Sequence, residues 1–106
     1  MYQVFKFGGA SIENVNRIKG VGDILLSYNN SNLVIVFSAM GKVTNMLEDL
    51  VDSYVNEKED IFQHLQKVKS FHQEIINELF DKKHNVRNAV NNLFLEIEWV
   101  LEVNPN

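Results

Sequence analysis

A short apolar run that carries one lysine, Val4-Phe5-Lys6-Phe7, stops at Gly8-Gly9-Ala10-Ser11, and a helical pattern begins directly afterwards. A strand that ends in adjacent glycines and opens a helix is one way to build a phosphate site. Glycine takes positive φ without steric cost, its missing side chain lets backbone N–H groups approach an anion, and the following helix turns the positive end of its dipole toward the charge. Lys6 would add a mobile positive charge. The same residues also suit a tight strand-to-helix turn beside a solvated lysine, and a glycine pair alone does not separate the two readings. Phosphate motifs with longer signatures are absent. There is no G-x-x-x-x-G-K-[ST], and Gly20-Val21-Gly22 lies inside a helical pattern without the remaining glycine of G-x-G-x-x-G.

Beyond the glycines, Ser11 is positioned to cap a helix whose apolar residues Val15, Ile18, Val21, Leu25 and Tyr28 recur every three or four positions and so form one buried face. Gly20 and Gly22 each cost roughly 0.8–1 kcal/mol against alanine within a helix, which points to close packing on a sheet. Asn29-Asn30-Ser31-Asn32 breaks the pattern as a polar turn. Leu33-Val34-Ile35-Val36-Phe37 is a continuous, mostly β-branched apolar run, the mark of a strand covered on both faces and parallel to the first. A strand, a crossover helix and a second strand make a βαβ unit, and open α/β sheets bind ligands at the carboxyl ends of their strands. Gly8-Gly9 and the segment after Phe37 therefore share an edge.

That segment, Ser38-Ala39-Met40-Gly41-Lys42-Val43-Thr44-Asn45, is small and polar. Thr44 or Asn45 suits an N-cap, with Glu48 completing a capping box and Asp49 favourable near the dipole. Capping alone accounts for Thr44, and an exposed loop accounts for Lys42. The rest reads as three helices. The first carries Met46, Leu47, Leu50, Val51, Tyr54 and Val55; the second runs from near Asp60 to near Lys82; the third runs from about Asn85 until Asn104-Pro105 closes it. Short breaks predict antiparallel neighbours. The predicted class is α/β: a βαβ unit with two parallel strands over residues 1–45, then a helical segment over residues 46–103. His64 and His72 have no carboxylate at a ligand spacing such as H-E-x-x-H and read as ordinary surface or boundary histidines; Trp99 reads as a packing residue. No residue is assigned to a metal.

A chain of 106 residues with 45% hydrophobic content is long enough for one small core. Its net charge of −4, from 10 basic and 14 acidic residues, argues against a non-specific nucleic-acid binder. The absence of cysteine excludes a disulfide framework and a thiolate nucleophile or metal site. The opening residues lack the order of a signal peptide, and no apolar run approaches the roughly 18 residues of a membrane span, so a cytoplasmic location without a membrane partner is expected.

Taken together, the two glycine-bearing stretches resemble the aspartokinases, a branch of the amino-acid kinase family. Val4-Phe5-Lys6-Phe7-Gly8-Gly9-Ala10-Ser11 is similar to the family's K-F-G-G-[TA]-S opening, and Val36 to Asn45 is similar to its S-A-M-G-x-V-T-N loop. The resemblance is firm over roughly residues 3–51, with Ala10 in place of the commoner threonine. It implies part of a carbamate-kinase-like fold and transfer of the ATP γ-phosphoryl group, with Mg²⁺, to the side-chain carboxylate of L-aspartate for lysine, threonine and methionine biosynthesis. By position, Lys6 would bind phosphate and stabilise the transferred group, Gly8 and Gly9 would cradle phosphate, and Ser11 would support that loop. Ser38, Gly41 and Thr44 would shape the aspartate pocket.

The S-H-G-E-type motif, the aspartate-binding arginine and the regulatory ACT domains of the family are not in this sequence. The chain is therefore expected to be a fragment, inactive alone and prone to self-association through uncovered sheet edges or apolar faces. Two alternatives remain open at this level: an amino-acid kinase with another acceptor, and a helical interaction module whose glycine loops are only turns.

Overall fold

A computed structural model describes residues 2–105. The elements follow in the order β1 (Gln3–Phe7), a short 3-10 turn (Gly9–Ile12), α1 (Val15–Leu26), β2 (Leu33–Phe37), α2 (Val43–Val55), α3 (Ile61–Leu79) and α4 (Val86–Leu101). This is the expected partial α/β fold, two parallel strands with one helix between them and three helices after. The chain divides into two compact units, one up to Thr44 and one from Asn45. No helix among the described residues is long and apolar enough to cross a membrane.

In the first unit β1 and β2 pair in parallel, with Gln3 opposite Leu33, Lys6 opposite Val36 and Phe7 opposite Phe37. Side chains alternate across a strand, so Phe5 and Phe7 share one face of β1 while Val4 and Lys6 share the other. Phe5 meets Tyr28 edge-on at 4.9 Å between ring centroids, and Phe7 stacks on Phe37 at 5.4 Å. The expectation that β2 is covered on both faces is not met: Val34 and Val36 are each 45% exposed and Phe37 53%. A single crossover helix can cover only one side of a sheet. Buried apolar contacts in this unit centre on Ile12, Val21 and Val43.

The cap of α1 also differs from expectation. Asn14, extended at φ −151° and ψ 173°, accepts the Arg17 N–H on its side-chain oxygen at 2.9 Å. Ser11 lies instead in the 3-10 turn, where its N–H donates to the Gly8 carbonyl at 3.0 Å. A tight turn thus intervenes between the glycines and the α-helix. Gly20 and Gly22 do not pack closely on the sheet, since a Cβ at either position would meet nothing within 4 Å.

The second unit buries Leu50, Leu65, Val68, Ile75, Ile76 and Phe94, the helical periodicity that the sequence carries. α2 begins at Val43, whose N–H donates to the Met40 carbonyl at 3.0 Å, so Thr44 and Asn45 lie in the first turn and do not cap it. At the far end, Lys58 N–H reaches the Ser53 carbonyl at 2.9 Å and Glu57 N–H reaches the Tyr54 carbonyl at 3.2 Å. These are the two bonds of a Schellman ending, and they require a left-handed residue at Glu57, where φ is 51°. Beside it the Ser53 hydroxyl, fully buried, donates to Asp60 Oδ1 at 2.6 Å. That bond is the main cause holding the Asp60 carboxyl below its usual range, with the His64 ring adding to it. A left-handed glutamate costs about 1–2 kcal/mol more than glycine would. Glu57→Gly is therefore expected to stabilise the chain by about 1 kcal/mol, read as a higher urea midpoint at unchanged slope; a lower midpoint would show that the Glu57 side chain contributes more than its backbone costs.

Candidate active site

Both loops singled out in the sequence leave the carboxyl ends of the paired strands, and backbone hydrogen bonds join them. Ser38 N–H donates to the Phe7 carbonyl at 3.0 Å, extending the ladder past Phe7 and Phe37. Gly41 N–H donates to the Gly9 carbonyl, also at 3.0 Å, and ties one loop to the other. A Cβ at position 9 would lie 2.8 Å from the Gly41 carbonyl oxygen, closer than real side-chain carbons come, and a tight 3.1 Å from that of Ala39. Gly41 itself has φ 53°, a left-handed conformation that favours glycine.

Gly8 is a different kind of glycine. Its backbone is extended, at φ −76° and ψ 172°, and a Cβ there would meet nothing within 4 Å. The expected positive φ at the Gly8-Gly9 pair is thus not observed, and Gly41 is the only glycine among the described residues that has one. Gly9 serves close approach of the two loops, while Gly8 leaves open space above its peptide. The N–H groups of Gly9 and Ala10 open the 3-10 turn, where the first amides of a helical turn have no partner within it.

Lys6 is exposed on the uncovered face of β1, two residues before Gly8, and forms no ion pair among the described residues. Ser11 is half-buried and lines a cleft of about 590 Å³ with Phe7, Asn14, Arg17 and Val21. The Ser38 hydroxyl donates to the Ala39 carbonyl at 2.8 Å. Thr44 is exposed in the first turn of α2. The fold therefore brings Gly8, Gly9, Ser38 and Gly41 together directly, with Lys6 and Thr44 flanking them along the chain. Gly41 N–H is already occupied by Gly9, which leaves this residue a shaping part and no free donor. Between residues 3–11 and 33–45 the only charged side chains are Lys6 and Lys42, so the two loops present positive charge without a carboxylate.

His64, expected to be an ordinary surface or boundary histidine, is half-buried and has its Nε2 3.1 Å from Asp60 Oδ2, one helical turn earlier, a pairing that the i, i+4 spacing of the two residues allows. Among the described residues no group of three or more histidine, cysteine or acidic side chains is placed to hold a metal ion.

The two parallel strands and the helices that follow them form part of an α/β fold, with two glycine-bearing loops joined at the carboxyl edge of the sheet. The chain matches the model of the amino acid kinase family over residues 1–97 and belongs to that family. It is 41% identical over 80 residues to Aspartokinase 2, chloroplastic, of Arabidopsis thaliana, a match covering 72% of this chain and 14% of that protein. It is 36% identical over 76 residues to the Aspartokinase of Chlamydia pneumoniae, covering 72% and 16% respectively. Bifunctional aspartokinase/homoserine dehydrogenase 2, chloroplastic, of Arabidopsis thaliana is 32% identical over 81 residues, covering 76% and 9%. The chain thus spans only a small share of the length of the curated relatives it matches.

The two glycines of the turn should respond differently to a methyl group. Gly9→Ala is expected to cost about 1–3 kcal/mol, the scale of overpacking, because two backbone carbonyls must move. Gly8→Ala should stay within about 0.5 kcal/mol of the parent. Equal denaturation midpoints for the two variants would contradict the close approach at Gly9.

Proposed function

We propose that this chain supplies the phosphate loop and the aspartate loop of an aspartate kinase, which transfers the γ-phosphoryl group of ATP to the side-chain carboxylate of L-aspartate and yields 4-phospho-L-aspartate for lysine, threonine and methionine biosynthesis. The observation that carries the reading is the Gly9 to Gly41 backbone bond, which holds the two loops that resemble those of aspartokinases against each other. Kinship with named aspartokinases supports the choice of acceptor.

The residue types suit that chemistry. A carboxylate acceptor is ionised at neutral pH and needs no general base, so positioning and charge neutralisation are what remain for the protein to provide. Lys6 binds a phosphate oxygen and stabilises charge on the transferred group. The open peptide at Gly8 and the amides of Gly9 and Ala10 fit a phosphate, with Ser11 supporting the turn. Ser38, Gly41 and Thr44 shape the pocket for L-aspartate. Both substrates are anionic, and the loops carry lysines only. Mg²⁺ would accompany the nucleotide, and none of the described side chains is assigned to the ion, since no group of three or more histidine or acidic side chains gathers among them.

The test is kinetic. In the longer kinase that carries this segment, Lys6→Ala should lower kcat on the order of 10²-fold while the fold persists, as when one preorganised charge-stabilising donor is removed. The 106-residue chain alone should show no aspartate-dependent ADP release, because a half-site forgoes most of the roughly 7–11 kcal/mol that positioning contributes. Full activity of Lys6→Ala would remove the role given to the lysine, and turnover by the short chain would overturn the reading of it as a partial site.

Self-association belongs to the same proposal. In a two-stranded sheet each strand has an unpaired edge, and here one face leaves Val4, Val34 and Val36 largely exposed. Sedimentation of the isolated chain should show mass rising with concentration; a monomer throughout would refute this.

A further inference from the structure

A second cleft, of about 260 Å³, opens between α3 and α4 and is lined by Gln73, Ile76, Asn77, Arg87 and Asn91. Its walls follow from helix geometry. Gln73 and Asn77 are one turn apart on α3, as are Arg87 and Asn91 on α4, and residues four apart share a face. Arg87, in the first turn of α4, meets Asn77 near the end of α3, and Gln73 and Asn91 line the same cleft.

Arg87 accounts for part of this arrangement. Its Nε–H donates to the Asp81 carbonyl at 3.1 Å, one Nη2 hydrogen to the Phe80 carbonyl at 3.1 Å and one Nη1 hydrogen to Asn77 Oδ1. These bonds close the carboxyl end of α3 and explain why an arginine stands there. A guanidinium has five N–H donors, so two remain without a protein partner. The Asn77 side-chain oxygen is taken by Arg87, which leaves its NH₂ to donate elsewhere. Gln73 and Asn91 make no side-chain hydrogen bond among the described residues, and helix closure does not explain them. The nearby Asp81 carboxylate is engaged by the Lys83 N–H at 2.9 Å.

The cleft therefore gathers one positive charge, three amide side chains, an apolar floor at Ile76 and no carboxylate. We propose that it binds a small oxyanion, a carboxylate or phosphate group, held by the spare guanidinium hydrogens of Arg87 and the amides of Gln73, Asn77 and Asn91. Size and charge select this class. The volume exceeds the roughly 30 Å³ share of a water molecule several-fold, yet lies below the roughly 300–1,000 Å³ of pockets that take drug-sized ligands, so a nucleotide is too large. Arginine presents paired N–H groups that match the oxygens of carboxylate and phosphate. The site lies entirely in the helical unit and does not depend on the kinase reading.

The experiment uses the whole chain labelled with ¹⁵N, titrated at constant ionic strength with sodium phosphate, sodium acetate and neutral acetamide, while NMR follows Arg87 Nε–H and the side-chain amides of Gln73, Asn77 and Asn91. Saturable shifts of these signals with an anion are expected, with Kd on the order of 1 mM. Asn91→Leu fills the cleft but leaves the three Arg87 bonds, and should weaken binding at least about tenfold with backbone signals elsewhere unchanged; Gln73→Leu serves if that variant does not fold. Tighter binding of phosphate than acetate identifies a phosphate site, and the reverse a carboxylate site. Shifts that do not saturate, an equal response to acetamide, or unchanged affinity in the leucine variant would overturn the proposal.

Discussion

The Gly41 carbonyl oxygen lies 2.8 Å from the place where the first carbon of any side chain at position 9 would stand, so the two loops at the sheet edge meet only because residue 9 is glycine. Much of the first unit depends on that contact. It lets the Gly9 carbonyl accept Gly41 N–H, and Gly41 itself is left-handed. The chain then winds at once into α2, with Val43 N–H on the Met40 carbonyl. Thr44 consequently sits in a helical first turn, with its backbone fixed by the helix and its side chain in solvent. A larger residue at position 9 would have to separate the loops.

The helical unit is organised by a different constraint, the polar groups exposed wherever a helix stops. Glu57 gives α2 its Schellman ending at a conformational cost, and Ser53 brings the Asp60 carboxylate to the start of α3. Arg87 closes the other end of α3 with three hydrogen bonds. The Asp52 and Lys58 pair at 2.6 Å lowers the carboxyl and raises the amine through a direct hydrogen bond, but both groups are in solvent, where such pairs contribute little. Stability here comes from the apolar contacts of Leu50, Leu65, Val68 and Phe94, and the polar closures decide where each helix ends.

The uncovered face of the sheet joins the two themes. Lys6 stands among exposed valines on a face that α1 does not reach. In a member of the amino acid kinase family whose matched relatives are several-fold longer, that face and both strand edges are surfaces on which further structure can build. The exposed valines and the unpaired strand edges thus belong to one open surface of this unit.

Period and composition sufficed for the elements themselves. The β-branched run at Leu33–Phe37, the three-and-four spacing from Ile61 to Leu79, and the glycine breaks made strands, helices and their order legible, because burial on one face imprints a repeat on the residues that share it. The two loops were legible as loops too, since glycines and small polar residues at a strand end break the periodic pattern. What each glycine does was not. Gly8 and Gly9 are identical neighbours in the sequence, yet one faces open space and the other a carbonyl oxygen contributed from some thirty residues away. Nor could local pattern decide between Ser11 and Asn14 as the cap of α1, because a serine and an asparagine both accept an N–H and only the path of the 3-10 turn selects one. The pairing of Ser53 with Asp60 and the clasp of Arg87 on α3 likewise exist only once the chain has turned back on itself. Local periodicity determines which residues form an element; long-range contact decides which atoms face one another.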